Sequence, residues 1–110
     1  MADVKKPPSY LRRPGRDLWR AVLRSFDLSD PQDMSRLAIA CSATDRAAQA
    51  RAVLDEHSLT YLDRFSQPKS RPEVAIERDS RLAVLRALRE LGLDAEHLVE
   101  TRTPKLKMWA

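Results

Sequence analysis

The longest patterned stretch of the chain runs from Asp30 to Ser58. Pro31 stands at the first helical position after an Asp or Ser cap, and neither Pro nor Gly interrupts the run up to His57. The pattern predicts one long helix. On a wheel of about 100° per residue, Met34, Leu37, Ala38, Cys41, Ala48 and Ala52 form one apolar stripe. Ile39, Ala43, Ala47, Ala50 and Leu54 form a second, on nearly the opposite side. A surface helix in a monomer needs one apolar face, and a second face asks for a second partner. The first stripe is therefore assigned to the protomer's own core, and the second to a neighbouring subunit.

Gly15 and Arg16 open an earlier, shorter helix that reaches Asp27. Leu18, Trp19, Val22, Leu23 and Phe26 share one side of it, and Arg16, Arg20 and Arg24 follow one another at i, i+4 and i+8 on another. A helix, turn, helix order is also the layout of a DNA-reading helix-turn-helix. The second helix here is longer than a recognition helix and apolar on two sides, which argues against that reading. Between Leu59 and Ser70 the apolar residues Leu59, Tyr61 and Phe65 alternate with polar ones. A short β-hairpin and an irregular loop both remain open, since no Asn-Gly or Asp-Gly turn is present.

Arg71-Pro72-Glu73 starts the last helix, which ends at Gly92, a fitting residue just past a helix end. Val74, Leu82, Leu85, Leu88 and Leu91 give it an apolar face, and Arg78 sits within that face. Asp45 stands likewise amid the Cys41 and Ala48 stripe. Two opposite charges in facing apolar stripes are costly singly and tolerable together, so the sequence predicts an ion pair between Asp45 and Arg78. The expected fold is all-α or mainly α: a short N-terminal helix and two long antiparallel helices, with a possible small hairpin between them. Residues 1–14 are expected to be a flexible basic arm with Tyr10 and Leu11 as an anchor. Residues 15–95 would form the helical core and oligomerisation domain, and residues 96–110 a flexible tail.

Composition agrees with this picture. The chain has two Gly and 5% aromatic residues, which suits an all-α protein. A core of under about 80 residues is marginal by itself, and oligomerisation is a natural remedy. The net charge of +4 is concentrated near the start, where Lys5, Lys6, Arg12, Arg13, Arg16, Arg20 and Arg24 stand against Asp3 and Asp17. That excess favours a polyanion such as double-stranded DNA, held through its phosphates. A single cysteine excludes an intrachain disulfide, and Cys41, on an apolar helix face, reads as a small buried hydrophobe. There is no apolar leader and no run long enough to span a membrane, so the expected compartment is the cytoplasm.

Candidate chemistry is sparse. His57 and His97 are far apart, with no cluster at metal-ligand spacing. Two separated glycines cannot build a phosphate loop, and no nucleophile elbow is present. The sequence thus predicts no enzyme, no cofactor and no metal.

The order of features resembles a known family. Pro8-x-Tyr10-Leu11, Gly15-Arg16-x-Leu18-Trp19, Phe26-Asp27-Leu28, and Asp33 with Leu37, Cys41 and Asp45 are similar to the first half of the small terminase subunits of tailed phages of the cohesive-end siphophage type. Arg71-Pro72, Glu77-Arg78, Leu82, Leu85, Leu88 and Leu91-Gly92-Leu93 resemble the second half, with Arg71-Pro72 where the family tends to have His-Pro. The resemblance spans residues 8–95. It implies a helical protomer that assembles into a ring, binds viral DNA at the packaging start, and presents it to a large terminase subunit carrying the ATPase and nuclease. The second stripe of the long helix would then face the ring neighbour, and Met108 and Trp109 would dock on the large subunit. Two departures stand out: Asp63-Arg64-Phe65-Ser66 replaces glycines between the long helices, and the chain is shorter than many relatives. A compact version with little sequence selectivity would suit the packaging proteins of gene transfer agents. The rival expectations are a dimeric helical adaptor and a helix-turn-helix regulator.

Overall fold

Three prolines mark the starts of three helices. In the computed structural model, which describes residues 5–93, Pro14, Pro31 and Pro72 each lie in the first two positions of a helix. There the missing N–H costs nothing and the fixed φ is already helical. Helix α1 covers Arg13–Ser25, α2 Pro31–His57 and α3 Pro72–Glu90, while strands β1 (Thr60–Leu62) and β2 (Pro68–Ser70) join α2 to α3. The described chain is thus mainly helical, with one small two-stranded sheet.

Each helix end has its own stop or start chemistry. Asp30 accepts the Gln32 N–H at 2.9 Å and caps α2. At the far end of α3, Gly92 adopts φ 81°, its N–H donates to Arg89 O at 2.9 Å, and Leu93 N–H donates to Leu88 O at 2.8 Å. This pair of bonds closes the last turn and turns Leu93 into the core. The start of α1 is different, because its cap residue, Arg12, offers no side-chain acceptor.

That acceptor comes from α2. Asp45, 8% exposed, takes the Arg12 N–H on Oδ2 and the Gly15 N–H on Oδ1, both at 2.7 Å. These are the amides of the cap residue and of the third helical residue, both in the first turn, which a helix leaves without partners. An anion at this end also meets the positive pole of the helix. The predicted pair with Arg78 is therefore corrected: Arg78 lies exposed on α3 and reaches only its neighbour Asp79, at 3.2 Å. Such an exposed pair contributes little. Asp45 tolerates burial because backbone N–H groups satisfy it, with no cation required.

Gly15 permits the approach. A Cβ at this position would stand 2.7 Å from the Cys41 carbonyl oxygen and 2.7 Å from Asp45 Oδ2. The carbonyl is helix backbone and cannot yield, so only glycine lets α1 lie this close on α2.

The two stripes of α2 both find partners inside the protomer. Leu37 and Cys41 pack with Leu11, Trp19, Val22 and Leu93, which places this side against α1 and the end of α3. The second side runs along α3: Ala50 and Leu54 are buried, and the adjoining Arg51 reaches Glu77 at 3.7 Å. The assignment of Ala50 and Leu54 to a subunit interface is accordingly corrected. Ala43 and Ala47 are half-buried, and Ala43 shares a groove with Ser80 and Ala83 of α3. Only Ile39 stands out, at 60% exposure. Helix α3 meets α2 through small residues such as Ser80 and Ala87, so Leu82 and Leu85 point away into solvent.

The arm boundary also moves. Arg13 and Pro14 belong to α1, Leu11 is buried, and the Trp19 Nε1–H donates to Lys5 O at 3.0 Å. Residues 5–12 therefore lie against α1, with Leu11 as the anchor and Tyr10 exposed.

The arrangement predicts that Asp45→Ala lowers stability by about 3 kcal/mol, since a buried amide at Gly15 and a part-buried one at Arg12 lose a charged acceptor. Gly15→Ala should cost about 1–3 kcal/mol through overpacking, and Arg46→Ala, at an exposed site, under about 0.5 kcal/mol. Urea denaturation followed by circular dichroism checks the order.

Candidate nucleic-acid interface

Helix α1 buries Gly15, Trp19 and Val22 against α2, so its opposite side faces water. Arg13, Arg20 and Arg24 are exposed there. Spaced at i, i+7 and i+11, they fall within a narrow stripe along the helix. The stripe is about 17 Å long at 1.5 Å per residue, close to the rise of about five base pairs. Arg16 is set apart, half-buried with its guanidinium donating to Leu11 O at 2.5 Å, and ties the arm to the helix. Arg12 gives its backbone N–H to Asp45 and leaves its side chain exposed.

The docked arm adds a cation to one end of this stripe. Lys5, held by the Trp19 bond to its carbonyl, lines a cleft of about 650 Å³ together with Arg20 and Arg24. Trp19, Leu23, Phe26 and Leu28 give the cleft its apolar lining, and Asp27 is the acidic residue in it. The seven basic residues picked from the sequence therefore divide. Lys5, Arg20 and Arg24 gather at the cleft, Arg12 and Arg13 stand at the other end of α1, Lys6 is exposed on the arm, and Arg16 works inside the fold.

Four other cations of the chain are paired, while Arg46, Arg64, Lys69, Arg71, Arg86 and Arg89 are, among the described residues, in no ion pair. Arg36, Arg51, Arg78 and Arg81 each lie within 4.0 Å of a carboxylate. Among the described residues, Lys5, Lys6, Arg13, Arg20 and Arg24 make no ion pair, and their charge is left to solvent or a ligand. Helix α2 packs on α1 along one side and on α3 along the other, and keeps Arg46, Gln49 and Ala52 exposed.

Other candidate chemistry stays dispersed. His57 is exposed at the end of α2, 3.7 Å from Glu56, and among the described residues no group of three or more His, Cys, Asp or Glu is placed to hold a metal. No helix of the described residues is long and apolar enough to cross a membrane. His97, Met108 and Trp109 lie outside the described residues, so the docking role expected of the tail falls there too. Sequence reasoning took Leu11 for an anchor, in line with its burial, but missed, first, the bond from Trp19 to the Lys5 carbonyl and, second, the close approach at Gly15. A glycine near the start of an otherwise helical pattern was the available signal for the second.

Comparison of the chain with protein-family models, with curated proteins and with solved structures gives no match.

The Cys41 thiol sits between these elements, fully buried, and its pKa is pushed up to about 12, first by burial and then by the charge of Asp45. The unfolded thiol titrates near about 8.5. From about pH 9 to 12 the unfolded chain thus releases a proton that the folded chain keeps. The contribution to stability is full below that window and is lost as pH rises through it. Wild type should lose stability relative to Cys41→Ala across this window, by on the order of 1 kcal/mol per pH unit, measured as urea midpoints. At neutral pH the native thiol should resist a thiol reagent that labels the unfolded chain at once.

Proposed function

We propose that this chain is a DNA-binding packaging subunit of the small-terminase kind, which holds the duplex by its phosphate backbone and makes no covalent change. The observation that carries the reading is the exposed row of Arg13, Arg20 and Arg24 with Lys5 beside it, all without ion-pair partners among the described residues. Phosphate contacts from such a row are additive and sequence-independent. They suit an assembly that must move along DNA more than a regulator that reads one site.

A single row gives few contacts, so useful affinity calls for several copies acting together. The support for self-association comes from α3, where Leu82 and Leu85 are 53% and 58% exposed on the side away from α2, and from Ile39 at the mouth of the α2–α3 groove. A ring of copies bearing α1 toward the duplex, recruiting a large ATPase-nuclease subunit, is the assembly proposed. The resemblance over residues 8–95 supports the same choice over a DNA-free adaptor.

Two measurements test the reading. Charge reversal by Arg20→Glu with Arg24→Glu should weaken binding to a random-sequence duplex at least about tenfold and flatten its dependence on salt, while native mass spectrometry shows an unchanged oligomer. A duplex affinity that does not respond to salt, or to these substitutions, refutes the phosphate-backbone reading. Conversely, Leu82→Glu should break the oligomer into smaller species, and a wild-type chain that is monomeric at every concentration refutes the ring.

A further inference from the structure

The hairpin between α2 and α3 uses none of its side chains for the core. All three residues of β1 and all three of β2 are exposed, and Phe65 in the connecting loop is 70% exposed. An isolated two-stranded hairpin is marginal in water, yet this one is well fixed. Arg71 N–H donates to Leu59 O at 2.9 Å at its base. Asp63 Oδ1 accepts from the N–H groups of Phe65 at 2.8 Å and Gln67 at 3.0 Å, and Asp63 N–H donates to Gln67 O at 3.0 Å. A loop closed by its own hydrogen bonds that presents a large aromatic ring to water has the form of a binding element.

Charge and register identify what it would bind. Residues 59–71 carry Arg64, Lys69 and Arg71 against one carboxylate, Asp63, and that carboxylate is engaged by loop amides. Tyr61 pairs with Lys69 across the strands, so the two side chains share a face. The Arg71 guanidinium lies over the Tyr61 ring at 5.9 Å, and that of Arg64 over Phe65 at 5.1 Å. Flat rings interleaved with cations on an open surface match the needs of unpaired nucleotides, whose bases stack while their phosphates are neutralised. A second copy of this chain, itself at net +4, is the poorer fit to so basic a patch. Paired bases in an intact duplex do not offer their faces.

We infer that the hairpin is a second nucleic-acid site, separate from α1, which binds single-stranded DNA by stacking bases on Tyr61 and Phe65 and holding phosphates with Arg64, Lys69 and Arg71. This inference does not depend on the α1 reading, since it concerns another surface and another form of nucleic acid.

The test uses the full chain and a fluorescein-labelled oligothymidylate of about twelve nucleotides, with anisotropy as the readout. Tyr61→Ala with Phe65→Ala should weaken binding about tenfold or more, whereas Tyr61→Phe with Phe65→Trp retains it, because stacking needs only the ring. Neither pair should alter binding to a duplex, and Arg20→Glu with Arg24→Glu should spare the oligothymidylate. Should the alanine pair lose helicity, the exposed Lys69→Glu carries the same expectation. Unchanged oligothymidylate binding in these variants overturns the site. So does an equal loss for duplex and single strand, a change of oligomeric state in its place, or displacement of the oligonucleotide by poly-glutamate at matched charge.

Discussion

A carboxylate on one helix holds the first turn of another. Asp45 reaches from the middle of α2 to the two amides at the start of α1 that Arg12 cannot cap, and Gly15 removes the Cβ that would keep the helices apart. Much of the remaining order follows from this contact. It fixes where α1 begins and which side of it is buried. The buried side brings Trp19 under the arm, the Trp19 indole holds the Lys5 carbonyl, and the opposite side is left with a row of arginines. A structural interaction thereby sets the geometry of the surface proposed to meet DNA.

Helix α2 is the scaffold for both packing layers. Its two apolar faces are a genuine sequence signal, but Ala50 and Leu54 of the second are buried within the protomer on the side that runs along α3, and Ile39 of that face stands in solvent. The misassignment has a physical source. Helix α3 was expected to bury its large leucines, whereas contact with the alanine-rich side of α2 favours small residues on both helices. Ser80 and Ala87 let the axes come close, while Leu82 and Leu85 are turned outward. Exposed apolar surface thus lies on α3 at Leu82 and Leu85 and on α2 at Ile39, and the proposed self-association rests on these.

Local chemistry was legible from the sequence. The prolines at helix starts, the Asp30 cap and Gly92 beyond α3 each act through their own or adjacent backbone, so residue identity suffices to read them. The hairpin was half legible: its alternation was visible, but the turn is closed by Asp63 and a left-handed Ser66 at φ 61° in place of the usual glycine. What could not be read were contacts whose partners are main chain. The sequence marks Asp45 as a buried charge and suggests a cation for it, because a backbone N–H belongs to nearly every residue and leaves no mark in a sequence. The same holds for the Lys5 carbonyl beneath Trp19. Of the basic candidates, all were visible by type, but only the fold separates Arg16, committed to Leu11 O, from the free row on α1.

The Asp45 carboxylate, and not a side-chain cation, seats α1 on α2 and so presents its basic face. Amide hydrogen exchange by NMR on wild type and Asp45→Asn tests it most directly, because the substitution keeps the shape and removes the charge. Protection should fall selectively at Gly15 and through the first turns of α1, with α2 and α3 near Ala50 and Ala87 unchanged. Unaltered protection at Gly15, or a loss centred on α3 around Arg78, would contradict it.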